Sequence, residues 1–234
     1  MKIVRYHFSS IDSTNNWVKA HISELDAAAL TLVTADEQTA GRGRLNRRWI
    51  SPSSVNVYGT FAFFTDKSQH DLGNISQVMA VCAAETLQQL GFEVQCKWPN
   101  DLILSKKKVG GILCETTPCP QGLCVIAGVG INVNMAQDML SGVGQPATSL
   151  FVECGCEQSV EAIVEALSDE FQKSLTRFLH VGFHPFLSRY KQVLMHHHGD
   201  SVREGTFHSI EPDGSIAIRL PTGDVKRFHS VELG

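Results

Sequence analysis

What this sequence lacks narrows the field before any motif is read. No apolar run approaches the ~20 residues that a membrane-spanning helix needs. The opening MKIVRYHFSS has neither a long apolar stretch nor a small-residue cleavage site, so no secretory signal is expected. Positive charge is in short supply: 20 Lys and Arg stand against 24 Asp and Glu, a formal charge of −4. That balance argues against the broad basic face of a general nucleic-acid binder. None of the seven cysteines falls in a C-x-x-C spacing, so reduced, mostly buried thiols in a cytoplasmic protein are expected rather than a zinc site. Internal repeats and low-complexity tracts are missing too. What remains, 43% hydrophobic and 19% charged in 234 residues, suits one sizeable globular domain plus a small one.

The pattern of elements is mixed. DSTNNWVKAHISEL (12–25) opens with capping residues Asp12 and Ser13 and continues at helical spacing through Trp17, Val18, His21, Ile22 and Leu25. ALTLVTA (29–35) and VNVYGTFAFF (55–64) read as strands. Ile75 to Leu90 reads as a one-sided amphipathic helix, and Val160–Leu179 and Pro185–Met195 as two further helices. Between them lie short strands in VQCKW, LIL, GGILCE and LCVIAGVGINV, with LIL and GGILCE joined as a hairpin through SKKK. After Gly199 the chain turns to short alternating segments separated by Pro-Asp-Gly and Pro-Thr-Gly, the signature of a small β module. The expected architecture is an α/β (α+β) domain over residues 1–195, a mixed sheet with flanking helices, followed by a small β domain over 196–234.

Four stretches carry chemistry. In QTAGRGRLNRRW (38–49), Arg42, Arg44, Arg47 and Arg48 fall within seven residues beside Gly41 and Gly43. Glycines let backbone N–H groups face an anion, and guanidinium groups bind carboxylate or phosphate in pairs of hydrogen bonds. Asn46 stands where a dinucleotide fingerprint needs its third glycine. In KWPND (97–101), Lys97 offers a point charge and Asp101 a hard oxygen for a divalent cation. In KKKVGGILCE, Lys106 and Lys107 read as a solvated turn, while Lys108 starts a strand and can point inward. GVGINVN (128–134) opens space on a strand and ends in two asparagines, and it also reads simply as a bulged edge. An anion-seeking loop, convergent lysines and glycine-lined walls suit a nucleotide plus an acidic small molecule, with chemistry at phosphorus.

STNNW, QTAGRGRLNRRWISP, KWPNDL, KVGGILCE, GVGINVN and PATSL resemble, in this order, the signature segments of biotin–protein ligases. The resemblance implies a catalytic domain of the biotin–lipoate ligase, class II aminoacyl-tRNA-synthetase-like kind, with an SH3-like C-terminal β-barrel. It implies that biotin and ATP, with Mg²⁺, form biotinyl-5′-AMP, and that biotin then passes to a lysine of a biotin carboxyl carrier protein domain of acetyl-CoA carboxylase. On this resemblance Ser13, Thr14, Asn15 and Gln38 hold the ureido ring. Arg42, Gly43 and Arg44 close over carboxylate and phosphate, with Lys108 at the acyl-phosphate, and all four, with Gly41 and Gly111, count among the biotin-binding residues. Lys97 assists at phosphate, Arg47, Trp49, Asn100 and Asn132 lie at the nucleotide, and Asp101 at the metal. Arg44, Lys97 and Lys108 are the expected catalytic residues, and the arginine loop is expected to act as a lid ordered by its ligand.

The sequence departs from the family's G-R-G-R-R-G-R at Leu45 and Asn46. Asn46 is expected to take the left-handed conformation in place of the glycine, and loss of an arginine at 45 to alter retention of the adenylate. Only about a dozen residues precede STNN, too few for the helix-turn-helix domain of family members that are also repressors, so no DNA binding is expected. Homodimers through sheet edges occur in this family. A lipoate–protein ligase shares the reaction type but lacks the GRGR…W and KWPND pairing. A non-catalytic biotin-binding module is the alternative of another class. A metal site on the three histidines 196–198 is disfavoured because neighbouring side chains point apart, which leaves a solvated helix end.

Overall fold

The computed structural model of the chain describes residues 1–66, 70–229 and 233. Its elements are β1 Ile3–Phe8, α1 Thr14–Ala20, β2 Leu30–Ala35, β3 Val57–Thr65, α2 Ile75–Gln89, β4 Gln95–Lys97, β5 Asp101–Leu104, β6 Lys107–Cys119, β7 Gly122–Ile131, α3 Gln137–Leu140, α4 Leu150–Cys154, α5 Val160–Val181, α6 His184–Val193, β8 Ser201–Val202, β9 Gly205–Ile210, β10 Ile216–Arg219 and β11 Val225–Phe228. The main sheet has the order β1-β2-β3-β7-β6-β5-β4. β1 runs parallel to β2, and the other neighbours are antiparallel. No helix among the described residues is long and apolar enough to cross a membrane.

Side chains alternate across a strand, and β7 shows what that alternation builds. Val125, Ala127, Val129 and Ile131 face a large core shared with α2, α5 and α6. Cys124 and Ile126 face the opposite side, where they pack with Val18, Leu25, Val33 and Ala62 beneath α1. Gly128 and Gly130 continue that second face. The strand is therefore apolar on one side and empty at one end of the other.

The helix over Ile75–Gln89 departs from its expected one-sided pattern. Ala80, Val81, Ala83 and Ala84 are as fully buried as Val78, Met79, Cys82 and Leu87. α2 is a central helix enclosed by the sheet, α5 and α6, and small residues on its second face permit that approach. Leu90, assigned to the buried face from the sequence, is 47% exposed, because the helix ends at Gln89 and Gly91 turns at φ 90. Arg189 of α6 ties the three helices together. It donates to Glu85 on α2, and to Glu170 (2.7 Å) and Ser174 (3.2 Å) on α5.

The expected small β module is present as a four-stranded antiparallel sheet, β11-β10-β9-β8, open among the described residues rather than closed as a barrel. Phe207, Ile210, Ile216 and Ile218 pack into the same apolar cluster as α2 and α6. Polar contacts reinforce the seam at the Asp213-Gly214 turn. The Gly214 carbonyl accepts from Trp98 Nε1 (3.0 Å) and Gln77 Nε2 (2.8 Å), and Asn74 Nδ2 donates to the Asp213 carbonyl at 2.9 Å. The histidine run is not a solvated helix end: α6 stops at Val193, and Leu194 bridges Cys96. His196 stacks on Phe207, and burial, then the charge of Lys97, hold it below the ordinary histidine value.

Gly214 has φ +78, and a Cβ there would sit 2.1 Å from Asn74 Nδ2 and 2.4 Å from Gln77 Oε1. Gly214→Ala is expected to cost about 2–3 kcal/mol, read as a fall in Tm of roughly 5–10 °C. Gly223→Ala is the control, because Gly223 has a similar φ of +93 but nothing within 4 Å of its Cβ position. Equal losses in the two variants would refute the seam contact.

Candidate functional site

The empty end of the sheet face opens into a cleft of about 880 Å³. Ser13, Thr14, Asn15, Gln38, Arg42, Gly43, Arg44, Arg47, Trp49, Lys97, Asn100, Asp101, Lys108, Gly111 and Asn132 all line it. Of the residues given a site role by the resemblance, Gly41 alone is not in its lining. It closes the base of the arginine loop, where a Cβ would lie 2.5 Å from the Trp49 carbonyl oxygen, and its own carbonyl accepts from Trp49 N–H at 2.9 Å.

One end of the cleft lies under α1. Thr14 N–H donates to Gln38 Oε1 at 3.0 Å, and Gln38 Nε2 donates to Ser51 Oγ at 3.1 Å. Thr60 Oγ1 sits 2.7 Å from Thr14 Oγ1 and 2.6 Å from Asn15 Oδ1. A side chain at Gly128 would lie 2.3 Å from Asn15 Oδ1, so the glycine leaves the space that the amide uses. Ser13 is the N-cap of α1 but makes no capping hydrogen bond.

The arginine loop takes the form of a hairpin. Arg42 bridges Arg48, Gly43 N–H donates to the Arg47 carbonyl at 2.7 Å, and a 3₁₀ turn, Arg44–Asn46, forms the tip. Leu45 takes the left-handed conformation (φ 55, ψ 37) and is 70% exposed. The left-handed turn conformation expected at Asn46 is taken by Leu45, and the Asn46 side chain lies outside the described residues. Two arginines fasten the hairpin to the cleft: Arg44 Nη1 donates to Asn100 Oδ1 at 2.8 Å, and Arg42 Nη2 donates to Glu115 Oε2.

Trp49 lies flat over Gly130, whose Cβ would fall 2.6 Å from its ring. Its indole Nε1 is buried with no hydrogen-bond partner in the protein, an unmet donor of the kind that points to a ligand. Lys108 Nζ stands 5.6 Å from the centre of this ring and 2.7 Å from Asp101 Oδ1. Asp101 is thus the counter-ion of Lys108 in this structure. No group of three His, Cys, Asp or Glu able to hold a metal occurs among the described residues. Gly111 gives the lysine room, since a Cβ there would meet Lys108 Cε at 3.3 Å. Asn100 Nδ2 donates to the Ile112 carbonyl (2.7 Å) and Asn132 Nδ2 to the Thr148 carbonyl (3.0 Å), so both asparagines also brace the walls.

Sequence reasoning missed Glu115. It accepts from Asn15 Nδ2 (3.0 Å), Lys19 Nζ (2.7 Å) and Arg42. Burial opposes its ionisation, but the hydrogen bonds from Lys19, Asn15 and Arg42 outweigh it and hold the carboxyl below its ordinary value. The signal was present: Gly111, Leu113 and Glu115 share one face of β6 by simple alternation, so a cleft-facing Gly111 implies a cleft-facing Glu115.

Residues 7–132 match the model of the Biotin/lipoate A/B protein ligase family, and the chain belongs to that family. It is 34% identical to the "Bifunctional ligase/repressor BirA" of Escherichia coli over 78% of this chain and 57% of that protein. The chain therefore spans little more than half of that relative's length. With the "Biotin--[acetyl-CoA-carboxylase] ligase" of Paracoccus denitrificans it shares 29% identity, over 91% of this chain and 92% of the other. The solved biotin protein ligase of Aquifex aeolicus in complex with biotin and ATP superposes with a TM-score of 0.79 at 25% identity, covering 100% of this chain and 97% of the other.

The depressed Glu115 carboxyl yields a pH test. Its network contributes fully above the ordinary carboxyl value of 4.5 and is lost as pH falls below it, through the lowered native value. The Tm advantage of the wild type over Glu115→Gln is therefore expected to be largest near neutral pH and to shrink below pH ~4. A difference that stays constant across that range would show that Glu115 is not the anion holding Arg42 and Lys19.

Proposed function

We propose that the chain is a biotin–protein ligase, which activates biotin with ATP to biotinyl-5′-AMP and then transfers biotin to a lysine of a biotin carboxyl carrier protein domain. The observation that carries this reading is the placing of Lys108, Arg42 and Arg44 around a glycine-floored cleft with hydrogen-bonding side chains at one end. Joining a carboxylate to an α-phosphate brings two anions together. Cations fixed beforehand in a partly water-excluded site lower that barrier by several kcal/mol.

Ser13, Thr14, Asn15 and Gln38 offer donors and acceptors to a ureido ring at the α1 end. A dithiolane ring has no such groups and would leave buried polar atoms unpaired, at about 1–3 kcal/mol each. That difference favours biotin over lipoate. Lys108 leaves Asp101 for the substrate carboxylate and then faces the mixed anhydride. Arg44, Arg47 and Lys97 hold the phosphates, while Trp49, Asn100 and Asn132 form the nucleotide end. Mg²⁺ fits as a companion of the phosphates, because Mg²⁺ commonly takes one or two protein carboxylates plus phosphate oxygens and Asp101 supplies one. Bound there, it would neutralise phosphate charge.

In the second half-reaction the carrier amine attacks the acyl carbon and AMP leaves. The hairpin must admit the carrier lysine while limiting water, and its two arginine tethers suit that gating. Residues 1–195 would carry the chemistry. Residues 196–234 would brace KWPND through Trp98 and reach the cleft rim at Arg203. The charge of −4 supports a ligase that makes no contact with DNA.

ATP–pyrophosphate exchange measured with biotin, with lipoate and with neither tests the first step. Exchange that depends on biotin is expected; exchange with lipoate alone, or with neither, overturns the assignment. Lys108→Ala is expected to lower exchange by about 10²–10³-fold. Gly111→Ala, which displaces the lysine without removing it, should lower it by roughly tenfold. Full activity in Lys108→Ala would exclude this lysine from the reacting centre.

A further inference from the structure

Cys154 and Cys156 lie outside the cleft and have no part in the chemistry above. Cys154 is the last residue of α4, and Gly155, at φ 74, reverses the chain so that Cys156 returns beside it. Both are exposed, against the expectation of mostly buried thiols, and their Sγ atoms are 3.4 Å apart. Gln158 Nε2 lies 3.5 Å from Cys154 Sγ and 3.3 Å from Cys156 Sγ. Gln158 is itself fixed by a reciprocal pair with Asn134: its N–H donates to Asn134 Oδ1 and its carbonyl accepts from Asn134 Nδ2, both at 2.9 Å. The two sulfurs are therefore held together by a braced frame.

Four of the other five thiols contrast with this pair. Burial pushes those of Cys82 and Cys124 up to about 12 and raises Cys96 and Cys114 further, so they present little thiolate to any reagent. At the exposed pair, the hydrogen bond with Cys154 raises the Cys156 thiol. No third ligand completes a metal-binding group with them among the described residues. The chemistry open to two adjacent accessible thiols is exchange with a disulfide.

We propose that Cys154 and Cys156 form a dithiol modification site that reacts with low-molecular-weight disulfides and closes into an intramolecular disulfide. One Cys thiolate attacks a sulfur of the reagent RSSR, whose S–S bond breaks and releases RS⁻. The second thiolate attacks the protein sulfur of the mixed disulfide and expels the other RS⁻. The two protons lost by the cysteines leave two RSH, so the protein is oxidised by two electrons and the reagent reduced by two. The site adjoins Glu153, which accepts from Ser105 (2.6 Å) and from Thr148, the residue whose N–H donates to the Lys108 carbonyl.

The full chain is incubated with glutathione disulfide, the remaining thiols are alkylated, and peptides are weighed. The wild-type peptide containing both residues is expected to lose two hydrogens and to carry neither glutathione nor alkyl group. Cys154→Ser and Cys156→Ser, each lacking the resolving thiol, are expected to retain one glutathione on the remaining sulfur. A wild-type peptide that keeps glutathione on either sulfur, or that is alkylated at both, overturns the proposal. So does a single variant that takes up no glutathione.

Discussion

The two-faced character of β6 and β7 is the constraint on which the rest of this structure depends. On one side these strands supply Val109, Ile112, Val125, Ala127, Val129 and Ile131 to the core against α2, and burying each large aliphatic side chain is worth about 1.5–3 kcal/mol. On the other side they carry Gly111, Gly128 and Gly130, whose missing side chains are the volume taken by Lys108, Asn15 and Trp49. Neither face can be altered alone. A one-residue slip in register would turn the apolar set into the cleft and the glycines into the core, so the packing that stabilises the sheet also fixes the floor of the site.

That floor solves the spatial problem and leaves an electrostatic one. Several cations must be kept close together in a partly enclosed cleft, and like charges there repel with little screening. The chain answers with internal partners. Glu115 holds Arg42 and Lys19, Asp101 holds Lys108, and the Asn100 amide oxygen holds Arg44. Each partner comes from a different strand or strand junction. The cations are thereby oriented by rigid elements before any anion arrives, which is the condition under which charge stabilisation costs no reorganisation. The partners are of two kinds. Arg42 and Lys108 are each paired with a carboxylate, and Arg44 donates to the neutral Asn100 amide oxygen.

Much of this was legible in the sequence because it is local. Period-3.6 patterns place α5 and α6, the SKKK turn places the β5–β6 hairpin, and the segments at 13–17, 38–52 and 97–102 place about half of the residues that line the cleft. The rest depends on contacts distant in sequence. The ion pair of Asp101 and Lys108 depends on the hairpin, which pairs Asp101 with Gly111 and sets the two charges side by side. Glu115 sits at the end of an apolar run and is recruited by residues 73 and 96 positions away. β1 is too short and too half-exposed to announce itself, and it becomes a strand because β2 offers a parallel edge. The all-round burial of α2 follows from what surrounds it. Ala80, Ala83 and Ala84 are compatible with either a buried or an exposed helix face, and only the arrival of α5 and α6 decides between them.

Leu45 shows the same interplay at the tip of the arginine hairpin. A leucine in the left-handed region costs about 1–2 kcal/mol, and at 70% exposure this side chain recovers little by burial. The conformation is imposed from below. Gly43 N–H reaches the Arg47 carbonyl, Arg42 bridges Arg48, and Trp49 is pinned to Gly41, so the intervening residues must complete the turn whatever their preference. The hairpin is therefore shaped by its base and by the two arginines that grip Glu115 and Asn100, with its tip under strain. Strain in this loop is thus concentrated at Leu45, and its anchors are Arg42 at Glu115 and Arg44 at Asn100.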